Sequence, residues 1–483
     1  MKCYFFSPLL VKCLFWGLGS LLYAFTAYHN IGFVALDDYT SLVTWIIPYQ
    51  HHTGQEIILN AGIRSPLPIL VLRGIVQIFY HLGFVSPIEQ YRCLLLAIGL
   101  FSYWSISISG VRLFKQVSSY QGGTPLSLIF LFLISFYFLC PFFLSRAMIE
   151  SLSTPFLFLS AYFACGYHRK GSLWDLLLAL SFLTVSAVFR FQCGVVWLCL
   201  LWITFRVKKH MPVFLLSSAI LFLLVGLIDL ILRGQFHQSL FSYIRYNMLY
   251  SSTFGQTGIW MGPLLFFGCL IPPSYFSRYV GLKWRESYGD LLSYLLYFFV
   301  FLVAHSLIPH KEERFFVPLI PIFLVLITPM GGYLLSQVRF RRLRIFYFCG
   351  FNFLLLFFTS FFISQNNVVG LAAWLDTHPQ YTTLKWVEGT FIFFPSQLLS
   401  KEITSVFFKP MEVEKLKTDD CSSVLVVRED KLANLPSRFF GSFSQITYFA
   451  PGPLEALMVK LNPRQNLRRN TMLLYLPTAC LLL

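Results

Sequence analysis

Charge is scarce in this sequence. Only 12% of its 483 residues are Asp, Glu, Lys or Arg, where a soluble domain carries about 25%. So few charges cannot coat a water-soluble globule of this length, which leaves a polytopic membrane protein. No Cys-x-x-Cys occurs among the eleven cysteines. Neither a structural zinc site nor a dense disulfide framework is therefore supported. Nine cysteines lie in or beside apolar segments, where a thiol acts as a small hydrophobe; Cys421 and Cys480 lie in the polar tail. No Gly-rich phosphate loop and no large soluble nucleotide domain are present. No Asn-x-Ser/Thr sequon occurs, which favours a bacterial cytoplasmic membrane over the endoplasmic reticulum. The net charge of +16 is spread over short clusters between apolar runs, so it reads as topology-setting loop charge and not as a nucleic-acid face.

What is abundant is hydrocarbon: 57% hydrophobic residues, 18% aromatic, mean hydropathy +0.67. A spanning helix needs about 20 mostly apolar residues. About eleven stretches qualify: 8–29, 92–113, 125–144, 150–166, 174–190, 193–205, 212–232, 259–275, 290–308, 316–335 and 345–364. The first reads as a transmembrane helix rather than a cleaved signal peptide, because its apolar run continues past the weak "AFTA" cleavage site. With Lys2 and Lys12 inside, the loops bearing Lys115, Arg169, Lys170, Arg206, Lys208, Lys209, Arg278, Lys283, Arg285 and "RFRRLR" (339–344) also fall inside. The stretch 67–85 carries Arg73 and His81 mid-run. Were it to span, the basic clusters would land outside, so it is expected to lie in the outer interface as an amphipathic helix. The first external loop is then long, about 30–91.

The expected organisation is an all-α membrane domain over 1–364 and a small exoplasmic α/β domain over 365–483. That tail holds ten of the 21 acidic residues. "LAAWLDTHPQYTTLKWV" reads as a helical entry and "SSVLVVRED" as a buried strand. The terminal "TMLLYLPTACLLL" is too short and Pro-interrupted to span.

Before residue 365, Asp37, Asp38, Glu56, Glu89, Glu150, Glu312 and Glu313 fall on the outer side, and Asp229 near the outer end of its helix. Asp175, Glu286 and Asp290 fall inside. Carboxylates near a membrane are expensive unless used or paired. A helix cap explains one of Asp37 and Asp38, but not both. Arg64, in "AGIRSPLPIL", is either a snorkelling arginine or a ligand group. Arg146 and Glu150 stand four apart, as on one helical face, and read equally as a local ion pair or as function. In "HKEERFFVPLIPIF" (310–323), Lys311 and Arg314 suit phosphate oxygens and His310 can move a proton near neutral pH. Glu312 and Glu313 are placed to hold those cations, and Pro318 and Pro321 to stiffen a helix start. The bland alternative is a charged loop at a membrane edge.

That stretch resembles the His-Lys-Glu-x-Arg-Phe-x-x-Pro-x-x-Pro signature of the polyprenyl (dolichyl)-phosphate-mannose-dependent mannosyltransferases. These build GPI anchors and lipid-linked oligosaccharides (glycosyltransferase family 22, GT-C fold). His310, Lys311, Glu312, Arg314, Phe315, Pro318 and Pro321 match. Asp37-Asp38 stands where the family has Asp-Glu. Ile63, Arg64 and Ser65 match its Ile-Arg-Ser, and Arg146 and Glu150 fall where it carries an Arg and an acid. "FRFQ" (189–192) is similar to an Arg-Pro-Thr element. The family's His-Pro is Ala35-Leu36 here, its Trp-Glu-Trp is missing, and its Trp-rich loop is reduced to "FGQTGIWMGP" (254–263). The reaction class is thus better supported than the acceptor.

The resemblance implies a GT-C protein of about eleven spans with an outward-facing site. It implies inverting transfer of a sugar, mannose in the family, from a polyprenyl-phosphate donor to a glycan or glycolipid acceptor. Asp37 or Asp38 would be the base, His310, Lys311 and Arg314 the phosphate-binding groups, and Arg64, Arg146, Glu150, Glu312 and Glu313 supporting. No cofactor and no metal site are predicted, the donor lipid being a co-substrate; no nucleic acid is expected as a partner. The rival readings are a transporter or flippase of a lipid-linked anionic glycan, and a non-catalytic assembly partner.

Overall fold

The computed structural model describes residues 8–34, 42–47, 63–117, 126–250, 253, 255–269, 288–336, 341–387, 394–410, 412, 420–463 and 466–481. Asp37, Asp38 and Glu56 lie outside the described residues, as do Arg278, Lys283, Arg285 and Glu286. The chain divides into two compact units, one of residues 1–28, 53–71 and 95–360, the other of 29–52, 72–94 and 361–483.

The described helices of the membrane part are α1 (Pro8–His29), α2 (Leu67–His81), α3 (Pro87–Val117), α4 (Leu126–Phe136), α5 (Ile149–Lys170), α6 (Leu173–Phe189), α7 (Trp197–Phe205), α8 (Met211–Arg233), α9 (Gln238–Tyr250), α10 (Met261–Cys269), α11 (Leu292–Leu307), α12 (Ile320–Ser336) and α13 (Arg341–Ser360). The expected stretches map onto them closely, and α2 is a helix of 15 residues, shorter than a span needs. Among the described residues six segments are long and apolar enough to cross a membrane: Leu9–His29, Pro87–Val117, Lys208–Arg233, Gly289–Leu307, Glu313–Ser336 and Arg341–Ser360. The count of eleven is not reached on that measure, for local reasons. The 125–144 stretch breaks at Tyr137 and Phe138 before a helical turn at Leu139–Leu144. Helix α7 has nine residues, and α5 is diluted by Glu150, serines and a terminal His168-Arg169-Lys170.

Hydrogen bonds across helices join this part. Tyr23 on α1 donates to the Ile134 carbonyl at 2.9 Å, and Trp16 to Ser107 at 3.2 Å. Helices α5 and α6 form an antiparallel pair. Gly171 closes α5 in the left-handed region (φ 64°), and Ser172 caps α6. Ser186 donates to the Ser153 carbonyl at 3.0 Å and Ser160 to that of Ala179 at 2.8 Å. The break after α4 would leave backbone groups unpaired in a lipid environment, where each costs several kcal/mol. Asn352 on α13 satisfies both sides: its amide donates to the Phe136 carbonyl at 2.7 Å and its oxygen accepts from the Phe138 N–H at 3.1 Å.

The C-terminal part is a mixed α/β layer. Helix α14 (Asn366–Thr377) precedes strands β1 (Thr383–Val387), β2 (Thr404–Phe408), β3 (Ser423–Arg428), β4 (Phe443–Phe449) and β5 (Met472–Pro477), with α15 (Pro453–Leu461) between β4 and β5. The order is β2-β1-β3-β5-β4. β1 is parallel to β2 and β3; β5 is antiparallel to β3 and β4. All six residues of β3 and all six of β5 are buried, so "SVLVVR" and "MLLYLP" are continuous apolar runs because both faces are covered. Val368, Leu371, Ala372 and Leu375 form the apolar stripe of α14 against Leu384, Trp386, Val426 and Leu474. Buried Glu455 accepts from the Gln365 and Asn366 N–H groups at 2.7 and 3.3 Å, which satisfies the start of α14. Cys421 and Cys480 form a disulfide. Lys385 donates to Asp420 at 2.8 Å, and this bond above all holds the Asp420 carboxyl below its usual range.

Candidate active site

The charged stretch of 310–315 folds as a short extended lead into a tight helical turn, Glu313–Leu319, and then α12. Pro318 sits inside the tight turn and Pro321 in the first turn of α12, where its missing N–H would have no partner in any case. The turn packs against α5, and the residues after α6 pack against α11. Four parts of the chain therefore converge.

Phe315 is the hub. The Arg190 guanidinium lies 4.9 Å from the ring centroid, that of Arg314 5.6 Å, and the His310 ring 6.1 Å, edge-on. Glu312 holds two of these groups: Arg314 Nε donates to it at 2.7 Å, and His310 Nε2 lies 3.3 Å from its other oxygen. Glu313 is exposed and makes no ion pair among the described residues. The Lys311 ammonium is buried and donates to the Thr257 carbonyl at 2.8 Å, while the Lys311 N–H donates to the Thr257 hydroxyl at 3.2 Å. So the segment around Thr257 is tied to the motif.

Glu150 and Arg146 correct the sequence reading. They do not share a helical face, because residues 145–148 are not helical and α5 begins at Ile149. Arg146 lies over the Phe142 ring at 4.2 Å. Glu150, in the first turn of α5, forms its ion pair with Arg190, and both side chains are at most 2% exposed. Arg190 owes its place to a discontinuity: α6 stops at Phe189, Arg190 is extended, and a tight turn follows. Irregular backbone in a membrane protein is tolerated where protein buries it.

Arg64 belongs to the same electrostatic neighbourhood. Burial pushes the Tyr243 hydroxyl pKa up, and the charges of Arg190 and Arg64 oppose that shift. The Arg64 carbonyl accepts from Arg233 at 3.3 Å; Arg233 also donates to the Ser239 hydroxyl at 3.0 Å, and Asp229 accepts from the Ser239 N–H and hydroxyl, each at 2.8 Å. Beside this network is a cavity of about 520 Å³. Its walls are apolar side chains of α6, α7 and α8, and its polar groups include Ser65, Asp229 and His237. Its lining takes in Phe191 and Ser65, the sequence neighbours of Arg190 and Arg64.

The sequence marks Arg190 only through the likeness of "FRFQ" to an Arg-Pro-Thr element, which assigns it no role. An arginine inside the apolar run "VSAVFRFQCGVVWL" was the available signal, since such charges are rarely idle.

The model of the Alg9-like mannosyltransferase family matches residues 45–385. Two solved structures are similar to the chain. One is ArnT from Cupriavidus metallidurans in the apo state, at 11% identity and TM-score 0.54. The other is ArnT from the same organism bound to undecaprenyl phosphate, at 10% and 0.52. Each match covers 97% of this chain and 98% of that one. At such identity the likeness speaks for the fold alone. No curated protein matches the chain in sequence. The apolar helices, the GT-C fold of these neighbours and a family match over most of the chain lead to one assignment: this integral membrane protein belongs to the Alg9-like mannosyltransferase family.

Proposed function

We propose that this chain is an inverting glycosyltransferase that moves a sugar, mannose by the family pattern, from a polyprenyl-phosphate donor to a glycan or glycolipid acceptor on the exoplasmic face. The observation that carries the reading is the cluster in which half-buried His310 and Glu312 and buried Arg314 meet the buried pair Arg190 and Glu150 around Phe315. Buried cations in a membrane bundle mark the path of an anion. The apolar cavity suits an isoprenoid chain. The Cys421–Cys480 disulfide supports an oxidising, exoplasmic side for residues 365–483, in keeping with the positive-inside orientation.

In this reading Asp37, or Asp38, takes the proton of the acceptor hydroxyl. The new C1–O bond forms on the face opposite the leaving group, and the bonding pair of the broken C1–O bond passes to the polyprenyl phosphate. Lys311, which keeps ammonium hydrogens beyond the one given to Thr257, meets the developing charge with His310 and Arg314. Arg64 and Arg146 position donor and acceptor. The test is transfer by the purified chain from a labelled polyprenyl-phosphate mannose to a glycan acceptor. Asp37→Asn should lower the rate about 10²–10⁴-fold with donor still bound. Undiminished transfer in both Asp37→Asn and Asp38→Asn would remove the base assignment. Movement of labelled lipid across a vesicle without sugar transfer would instead favour a flippase.

A further inference from the structure

We infer that Arg190 is the fork that grips the donor's phosphate, and that Glu150 competes with that phosphate for the same guanidinium; this rests on the reading of the chain as a polyprenyl-phosphate-dependent transferase.

The pair is not built as a structural ion pair would be. Arginine and carboxylate normally engage through two parallel N–H···O bonds. Here Glu150 meets Arg190 through one oxygen on Nη1, and the other Glu150 oxygen has no hydrogen-bond partner. All three Arg190 guanidinium nitrogens lack a hydrogen-bond partner among the described residues, although the residue is 2% exposed; Nη1 is the one in ion-pair contact with Glu150, which leaves Nε and Nη2. Those two nitrogens share one edge of the guanidinium and point their hydrogens in parallel, at the spacing of two phosphate oxygens. Leaving buried charged donors unsatisfied is costly, and native proteins rarely do so without a purpose.

The surroundings fit an anion on that edge. One face of the guanidinium is covered by Phe315, which blocks water without using a donor. His305 on α11 is buried, stacks on Phe301 at 3.8 Å, lies within the field of Arg190, and has an unpartnered Nε2. Tyr243 lies within the fields of Arg190, Arg64 and Glu150. Next in the chain, Phe191 and Gly194 line the apolar cavity. A phosphate seated on Arg190 would leave its isoprenoid chain able to enter that cavity. Glu150 then has a defined role. It neutralises a buried cation without saturating it, and yields when an anion with more oxygens arrives.

Opposite signs test this. The full chain in detergent is titrated with a polyprenyl monophosphate and, separately, with the uncharged polyprenol of equal length. The native chain should prefer the phosphate. Glu150→Gln, which keeps shape and removes the competing charge, should tighten phosphate binding roughly tenfold and leave polyprenol binding unchanged. Arg190→Gln should abolish the preference, and Arg190→Lys should restore part of it. Polyprenol binding reports whether each variant is folded; should Arg190→Gln fail that check, the Glu150→Gln arm decides. If Glu150→Gln weakens phosphate binding, or if Arg190→Gln keeps the preference, the pair is structural and the inference is overturned. The predicted pattern without any sugar transfer would overturn the proposed activity and leave the anion site standing.

Discussion

Lys311 and Glu313 lie two residues apart in one motif and have opposite fates. The ammonium of Lys311 is buried on the Thr257 carbonyl, whereas Glu313 is exposed. Removing the Lys311 ammonium takes away its hydrogen bond to the Thr257 carbonyl, and such a bond contributes about 0.5–1.5 kcal/mol. Lys311→Met should therefore lower the thermal midpoint in detergent and weaken donor binding, and Glu313→Gln should stay within about 0.5 kcal/mol of the native chain. A pH effect belongs at the same scale. The folded-state pKa of Asp420 is depressed, chiefly by Lys385. Its contribution is therefore complete above the ordinary carboxylate range and is lost as pH falls through the depressed value. Asp420→Asn should be less stable than the native chain at neutral pH, and the two should converge on acidification. Hydrogen exchange at β1 and β3 reads this directly; a gap that widened in acid would contradict it.

Among elements, the helix breaks matter more than the helices. Local hydropathy marks apolar runs because partition into lipid is a property of each run, and α1 came out at the expected residues 8–29. A break is decided by a partner elsewhere. The interruption at Tyr137 and Phe138 is made good by Asn352, over two hundred residues away in sequence. Asn352→Leu should lower stability by about 1–3 kcal/mol through the two stranded backbone groups. A thermal midpoint equal to the native one would mean that water reaches the break. The same logic explains the Arg146–Glu150 correction. Four residues apart is one helical face only if the helix includes both, and α5 starts too late. The end of α6 at Phe189 is likewise what turns Arg190 toward Glu150.

For the whole molecule, the distribution of Lys and Arg and the tail disulfide argue for one orientation. Alkaline phosphatase fused after Leu483 should be active, and fusions at Gly171 or between α12 and α13 inactive. The reverse pattern would turn the protein over and take the proposed site to the other leaflet. The tail itself shows where local reading stops. "SSVLVVRED" is recognisable as a strand, and β3 is that strand. "TMLLYLPTACLLL" is ambiguous alone, because a buried strand and a short membrane segment have the same composition; pairing of β5 with β3 and β4 resolves it.

Composition and local hydropathy alone determined that this chain lives in a membrane, where most helices lie, that a small α/β layer follows, and which motif bears the charge. These follow from solvation, which each segment feels by itself. Only the tertiary structure decided that Glu150 pairs with Arg190, that Phe315 gathers two arginines and a histidine, and that Glu312 rather than Glu313 holds the motif. Pairing of buried charges depends on which distant elements meet out of water, and no short stretch of sequence carries that distance.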